Sequence, residues 1–403
     1  MYPSSRRKPG FNAAARAACA TAAVLTLGTA ATARAEIVTS STFRWQLEGA
    51  ASFKYDAAGR QLHPSTRELA RVEDVEELEH YSRVVFLDAD RVVTTSWSGF
   101  VSAWKVEGGA PAWKARPGGP TPLKIMDVAL TADKKFALVV GEAGLLAMLR
   151  TQDGKVERTW DAAGGDFRTA VAISADGGLF ATGDLHGRVE VWSFAEPLPL
   201  ASWSNDAAST GPTGPPVPHW GPTHLAFTPD GRFLYAADPS AIRLWNIGTG
   251  ELVRALGDPD AGGAGATVDP ERWWFSSLDF APDQSYVIAG VYDGARVIDL
   301  ASGETLRTFT GHPMGVLSSR LDVAKSEVVT VARDFTFRFF DADTAALKRE
   351  AWLPCPSFPF IYVLADAVFN DAGDRIAMAT SDPIWDRMGY YPVLRTYAYD
   401  AGL

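Results

Sequence analysis

Short β-rich runs broken by Asp/Gly/Pro turns, no long amphipathic helical pattern after Tyr81, and a unit recurring every 40 to 45 residues together predict an all-β fold. That period with four strands per unit is a propeller signature, so the expected architecture is a β-propeller of about seven four-stranded blades, with eight as the alternative.

Each unit reads as an apolar strand, a polar turn such as Ser174-Ala175-Asp176-Gly177, a small-residue strand such as Phe180-Ala181-Thr182-Gly183, a second turn, and a strand ending in an aromatic. Thr228-Pro229-Asp230-Gly231 and Ala281-Pro282-Asp283 mark the same first turn in later units. The strand-ending slot falls at Trp104, Leu149, Trp192, Trp245, Ile298, Phe340 and Tyr399. The run Phe53-Lys54-Tyr55-Asp56, followed by Gly59-Arg60-Gln61-Leu62, looks like an eighth slot. The last unit stops soon after Tyr399 and lacks an outer strand, which the segment from Thr42 to Leu62 is expected to supply, so that no sheet edge stays open at the closure.

These units resemble the WD-repeat β-propeller family over nearly the whole chain after the leader. The best match runs from Gly311-His312 through Thr330 and Asp334 to Phe340-Asp341. In that family a histidine, a strand Ser/Thr, a turn Asp and a strand Trp form a buried hydrogen-bonded tetrad. The resemblance therefore implies structural roles for His312, Thr330 and Asp334, with Phe340 replacing the Trp and removing its N–H donor. Thr182, His186 and Trp192 form a second partial set, with His186 where the family has Asp. A shared network satisfies buried donors that would otherwise cost about 1–3 kcal/mol each, so these polar residues need no chemistry to explain them.

Extra sequence is inserted at Asn205–Pro222, Gly257–Arg272 and within Trp352–Tyr391. The resemblance places the loops from an outer strand to the next inner strand, and those between the two middle strands, on one face of the disc. Trp352–Phe360 is read as the first kind of loop and Ser381–Tyr391 as the second. The acidic stretch from Thr66 to His80 is read as a short helix in a loop of the first kind, capped by Ser65 with Glu68 three residues on. That face collects His219, Trp220, Trp273, Trp274, Trp352, Phe358, Phe360, Trp385, Tyr390 and Tyr391, a candidate binding face for a protein, peptide or glycan.

Composition narrows the function classes. With 47% hydrophobic and 21% charged residues the chain can bury a large core. The first 35 residues carry five basic and no acidic residues, and the remainder carries 33 basic against 48 acidic. Such a body repels phosphate backbones, and the sequence displays no basic patch, so nucleic-acid binding is not expected. Arg6, Arg7 and Lys8 precede an Ala-rich stretch from Ala17 to Ala33, then Ala33-Arg34-Ala35. This layout predicts an export signal over residues 1–35, with a twin-arginine character, and a single propeller domain over 36–403 that works in the periplasm or outside a bacterial cell. No apolar run beyond position 35 is long enough to span a membrane, so no insertion is expected after signal removal. Only Cys19 and Cys355 occur, which leaves no internal disulfide after cleavage. A monomer without cofactor or metal is expected.

No nucleophile elbow, His-Glu-x-x-His or phosphate-cradling glycine loop occurs, so the chain is read as a non-catalytic scaffold. The alternative is an enzyme or a metal- or small-molecule-binding protein with its site at the central channel. Inner strands supply Asp127, His224, Ser277, Asp279, Arg320 and Asp322 for it, and convergence of His224 with two of the carboxylates would favour that alternative.

Overall fold

The computed structural model describes residues 43–46, 54–55, 61–62, 81–105, 111–160, 167–204, 224–238, 241–257, 277–281, 283–291, 293–313, 315–322, 325–334, 336–352, 363–371, 375–384 and 389–398. Six four-stranded antiparallel sheets are built wholly from consecutive strands. The first blade comprises Tyr81–Phe86, Arg91–Ser96, Val101–Lys105 and Pro111–Ala115, and the second Ile125–Leu130, Phe136–Gly141, Leu146–Arg150 and Val156–Thr159. The third comprises Arg168–Ile173, Leu179–Asp184, Arg188–Ser193 and Ala201–Ser204. His224–Phe227, Phe233–Ala237, Ala241–Asn246 and Leu252–Gly257 make the fourth. Ser277–Phe280, Tyr286–Val291, Gly294–Asp299 and Thr305–Thr310 make the fifth, and Val316–Asp322, Glu327–Ala332, Thr336–Asp341 and Leu347–Trp352 the sixth.

Consecutive strands thus supply six blades, one fewer than expected. A further four-stranded sheet is composite: Val363–Phe369, Arg375–Ile384 and Gly389–Ala398 come from the C-terminal end, and Phe43–Gln46 pairs with the last of them, Phe43 opposite Thr396. Its register places Tyr397 opposite Ile376, as Phe340 stands opposite Val328, so the strand-ending slot is Tyr397 and not Tyr399. The supposed eighth slot is a two-stranded pairing, Lys54–Tyr55 with Gln61–Leu62, which joins no larger sheet among the described residues.

Turn chemistry explains why the strands break where they do. Between first and second strands, the hydroxyls of Thr131, Ser174 and Thr228 donate to Asp133, Asp176 and Asp230 at 2.8, 2.6 and 2.6 Å. Each hydroxyl also accepts the N–H five residues on, from Phe136, Leu179 and Phe233. Gly177 and Gly231 close two of these turns with φ of 71° and 66°, a region that L side chains avoid. Between third and outer strands, Asn246, Asp299 and Asp341 accept N–H groups two and three residues on.

The core is a circuit of apolar layers between consecutive sheets, with no single centre. One layer joins the first two blades through Val93, Val101, Ile125 and Val139; another joins the fifth and sixth through Ile288, Phe309, Val328 and Phe340. The composite sheet packs on the sixth blade through Met378, Phe337 and Phe339, and on the first through Ala377, Ala379, Tyr81 and Trp104. Outer strands add a latch at one register position. Trp113 Nε1–H donates to Thr151 O (2.9 Å), Arg158 to Phe194 O and Glu196 O, Arg254 to Leu300 O (2.7 Å), and Arg307 to Asp343 O (2.8 Å). Each latch reaches the next blade's turn, whose carbonyls lack ladder partners.

Candidate functional site

The sixth blade contains the anticipated network. His312 Nδ1 lies 2.9 Å from Asp334 Oδ2 and Nε2 lies 2.7 Å from Thr330 Oγ1. A neutral ring donating from Nδ1 to the carboxylate and accepting the Thr330 hydroxyl at Nε2 satisfies both nitrogens. Thr336 Oγ1–H donates to the other Asp334 oxygen at 2.7 Å. Burial works against the Asp334 charge, but the His312 and Thr336 bonds outweigh it and hold the carboxyl below its ordinary range. Phe340 is fully buried against Phe309, ring centroids 5.4 Å apart, and contributes packing only.

The third blade departs from the expected set. Trp192 Nε1–H does donate to Thr182 Oγ1 at 3.1 Å, as Trp104 does to Thr94 at 2.9 Å in the first blade. His186, however, is exposed, and no hydrogen bond of its ring is seen among the described residues. Its place is taken by two groups the sequence reading missed: buried Arg168 donates to Thr182 and pairs with Glu190 at 2.9 Å, while Asp184 accepts the backbone N–H groups of His186 and Arg188. An imidazole four residues past Thr182 has no role once Asp184 closes the turn two residues earlier.

Most of the candidate binding face falls beyond what is described. His219, Trp220, Trp273, Trp274, Phe358, Phe360 and Trp385 lie outside the described residues, as does the stretch read as a short helix before His80. Trp352 ends the sixth blade's outer strand. Tyr390 and Tyr391 are not in a loop: their backbones pair with Pro383 and Asp382 where Arg375–Ile384 and Gly389–Ala398 extend as one long hairpin. The inserted length there prolongs two strands, the ladder continuing from Ser381 opposite Pro392 to Ile384 opposite Gly389.

The inner strands share one register position that is mostly polar. Cross-strand register makes Arg83, Asp127, Ala170, His224, Ser277, Ser318 and Asp366 equivalent, each opposite the residue three past the strand-ending pair. Arg83 lies between two carboxylates, 3.1 Å from Asp127 and 3.6 Å from Asp366. The free oxygens also work: Asp127 Oδ2 accepts Val171 N–H and Asp366 Oδ2 accepts Val84 N–H, both at 2.9 Å, so each carboxylate ties its own blade to the next. Burial opposes the Arg83 charge, but the two carboxylates outweigh it and move its pKa above the ordinary value. Burial pushes Asp366 up to about 6 and also raises Asp127, Arg83 offsetting part of each shift. His224 is pushed down to about 3, by burial first and then by the Arg83 charge. Arg83 and Asp366 went unrecognised in the sequence because the first and last inner strands were not aligned with the others; the shared slot with Asp127 was the available signal.

The remaining inner residues sit at other levels of the strands. Asp279 and Arg320 are two residues further along, and Asp322 four. Burial raises Asp279 to about 6, with Arg320 and the Leu321 N–H opposing the shift. Arg320 donates to Asn370 O and Asp371 O at 2.8 and 3.1 Å, and Asp322 pairs with Lys325 at 3.2 Å. His224 and the carboxylates therefore do not converge on one point, and among the described residues no three His, Cys, Asp or Glu side chains group for a metal ion. No helix among the described residues is long and apolar enough to cross a membrane.

Four-stranded sheets packed face to face through apolar layers define a β-propeller. A solved structure, the WD40 β-propeller domain of Doa1, superposes with a TM-score of 0.57 at 16% identity, covering 80% of this chain and 94% of that one. The small ribosomal subunit protein RACK1 of Medicago sativa is 31% identical over 130 residues, 31% of this chain and 36% of that protein. Protein HIR1 of Yarrowia lipolytica is 25% identical over 250 residues, 53% of this chain and 23% of that protein. No family model matches. The chain thus covers about a third or less of these curated relatives' length. The solved-structure match shows the fold, a β-propeller, and the matched stretches are similar to those of WD-repeat proteins.

Proposed function

We propose that the chain is an exported, non-catalytic scaffold: residues 36–403 form one seven-bladed ring, with the composite sheet as its seventh blade, which holds a protein, peptide or glycan partner on its aromatic loops. The observation that carries this reading is the state of the inner polar side chains. Arg83, Asp127, Asp366, Arg320 and Asp322 are each engaged within the ring, so recognition falls to loops and edges. Export rests on the Arg6-Arg7-Lys8 and Ala33-Arg34-Ala35 layout, with the protein periplasmic or secreted. Cleavage after Ala35 would leave Phe43–Gln46 in place to complete the last sheet.

The test is to express the full chain with its leader, verify Glu36 as the N-terminus of the exported protein by mass spectrometry, and compare partner capture by wild type with Trp220→Ala and Trp385→Ala. Each substitution should weaken capture by more than about 1 kcal/mol while leaving the melting temperature nearly unchanged. Strong destabilisation with capture spared would make the rings loop cores and refute the aromatic face. Full-length chain found only in the cytoplasm would refute export.

A further inference from the structure

Exposed apolar side chains among the described residues follow a pattern unrelated to the aromatic loops. Of eight large exposed hydrophobics, seven lie in the turn before an outer strand or in its first two residues: Val156, Leu198, Leu200, Leu252, Val253, Leu306 and Leu347. In an antiparallel four-stranded sheet that turn lies opposite the loop between the two middle strands. The concentration is greatest in the third blade, where Leu198 and Leu200 are 64% and 56% exposed within Glu196-Pro197-Leu198-Pro199-Leu200.

This loop is held by both blades around it. Arg158, lying over the Trp160 ring at 4.6 Å, donates to Phe194 O and to Glu196 O, the latter at 3.0 Å. Trp160 Nε1–H donates to Glu196 O at 3.2 Å, and Leu200 N–H donates to Val191 O at 2.7 Å. Two prolines further restrict the backbone, so little ordering entropy remains to be lost on docking. Pro197 and Pro199 carry no N–H and those of Glu196 and Leu200 are engaged, which leaves only the Leu198 N–H for a β-ladder, so recognition falls to the leucine side chains.

We propose that Glu196–Leu200 is a second docking surface, which inserts Leu198 and Leu200 into an apolar pocket with a basic rim on a partner protein. Two leucines offer a small fraction of the roughly 800 Å² per partner that a stable dimer buries, so a convex knob entering a concave pocket suits them better than a flat self-association patch. A chain of net charge -10 also repels its own copy. Glu196 is exposed in the same loop as the leucines, and basic groups at the pocket rim would complement it.

The test uses the full-length protein in the cells that produce it, with the photo-crosslinking residue p-benzoylphenylalanine in place of Leu198. The expected result is an adduct with one other protein, retained in a Trp220→Ala background and lost with Leu200→Asp or Glu196→Lys. That protein, purified, should bind the wild-type chain at least tenfold more tightly than it binds Leu200→Asp. Leu198→Ser serves as a second, milder variant, and unchanged melting temperatures exclude misfolding. An adduct of the chain with itself, no adduct, or an adduct indifferent to both loop substitutions overturns the proposal. Retention of the adduct in the Trp220→Ala background separates this surface from the aromatic face, so either can fail alone.

Discussion

The fifth and sixth blades share strand order, turn chemistry and an apolar interface, yet their interiors are fastened differently. In the sixth, His312, Thr330, Asp334 and Thr336 form a closed polar set. In the fifth, the slot equivalent to Thr330 is Ala289, the strand-ending residue is Ile298, and both pack in an apolar layer with Val287, Tyr235, Ile242 and Leu256. The second blade repeats the apolar solution with Val139 and Leu149, whereas the first and third keep both Thr and Trp. Donor and acceptor are thus lost together or kept together in four blades. Removing one partner of a buried bond strands the other at about 1–3 kcal/mol, whereas replacing both with apolar groups is nearly neutral. The sixth blade loses its indole at Phe340 yet retains Thr330, because His312 supplies a second partner.

The contrast can be broken most forcefully in the third blade. Trp192→Ala removes a buried ring stacked on Phe180 and the donor to Thr182, and should cost about 3–5 kcal/mol in urea denaturation. A cost under about 1 kcal/mol would show that the indole is not a fastening element. In the sixth blade His312→Ala should cost about 1–3 kcal/mol without altering the far-ultraviolet circular dichroism, since it strands Thr330 and Asp334 but leaves the apolar layer intact. Stability equal to wild type would mean the network adds nothing to the apolar solution of the fifth.

The smallest expected effect sharpens the comparison at the inner layer, through pH. His224 titrates lower folded than unfolded, so its contribution is present above about 6.5 and lost as pH falls towards 3. Asp279 and Asp366 titrate near 6 folded, above their unfolded value of 3.8, so the folded state binds their protons more tightly and gains stability as pH falls from about 6 to 4. The two trends oppose each other in that window. His224→Gln should therefore become more stable relative to wild type at pH 4.5 than at pH 6, by up to about 2 kcal/mol in urea denaturation. An identical pH dependence in the two proteins would show that His224 is not held neutral.

The repeat and its turns were legible because they depend on local chemistry: Ser174 and Asp176, or Thr228 and Asp230, make their bonds within a few residues. The sixth-blade tetrad was legible because His312, Thr330 and Asp334 all keep family positions. What escaped depends on register between distant strands. Arg83 and Asp366 meet across the junction of the two ends of the ring, Arg168 does a histidine's work from another place, and one supposed loop at Ser381–Tyr391 prolongs a hairpin. A two-residue run such as Lys54-Tyr55 carries too little pattern to tell a blade from a two-stranded pairing.

The claim that the buried polar residues fasten blades is tested most directly by a double-mutant cycle of His312→Leu and Thr330→Val, measured by urea denaturation at pH 7. Each single change should cost about 1–3 kcal/mol, and the double change should cost less than their sum by at least about 1 kcal/mol, approaching the apolar interior of the fifth blade. Strict additivity would contradict a shared network and return the sixth blade to ordinary packing.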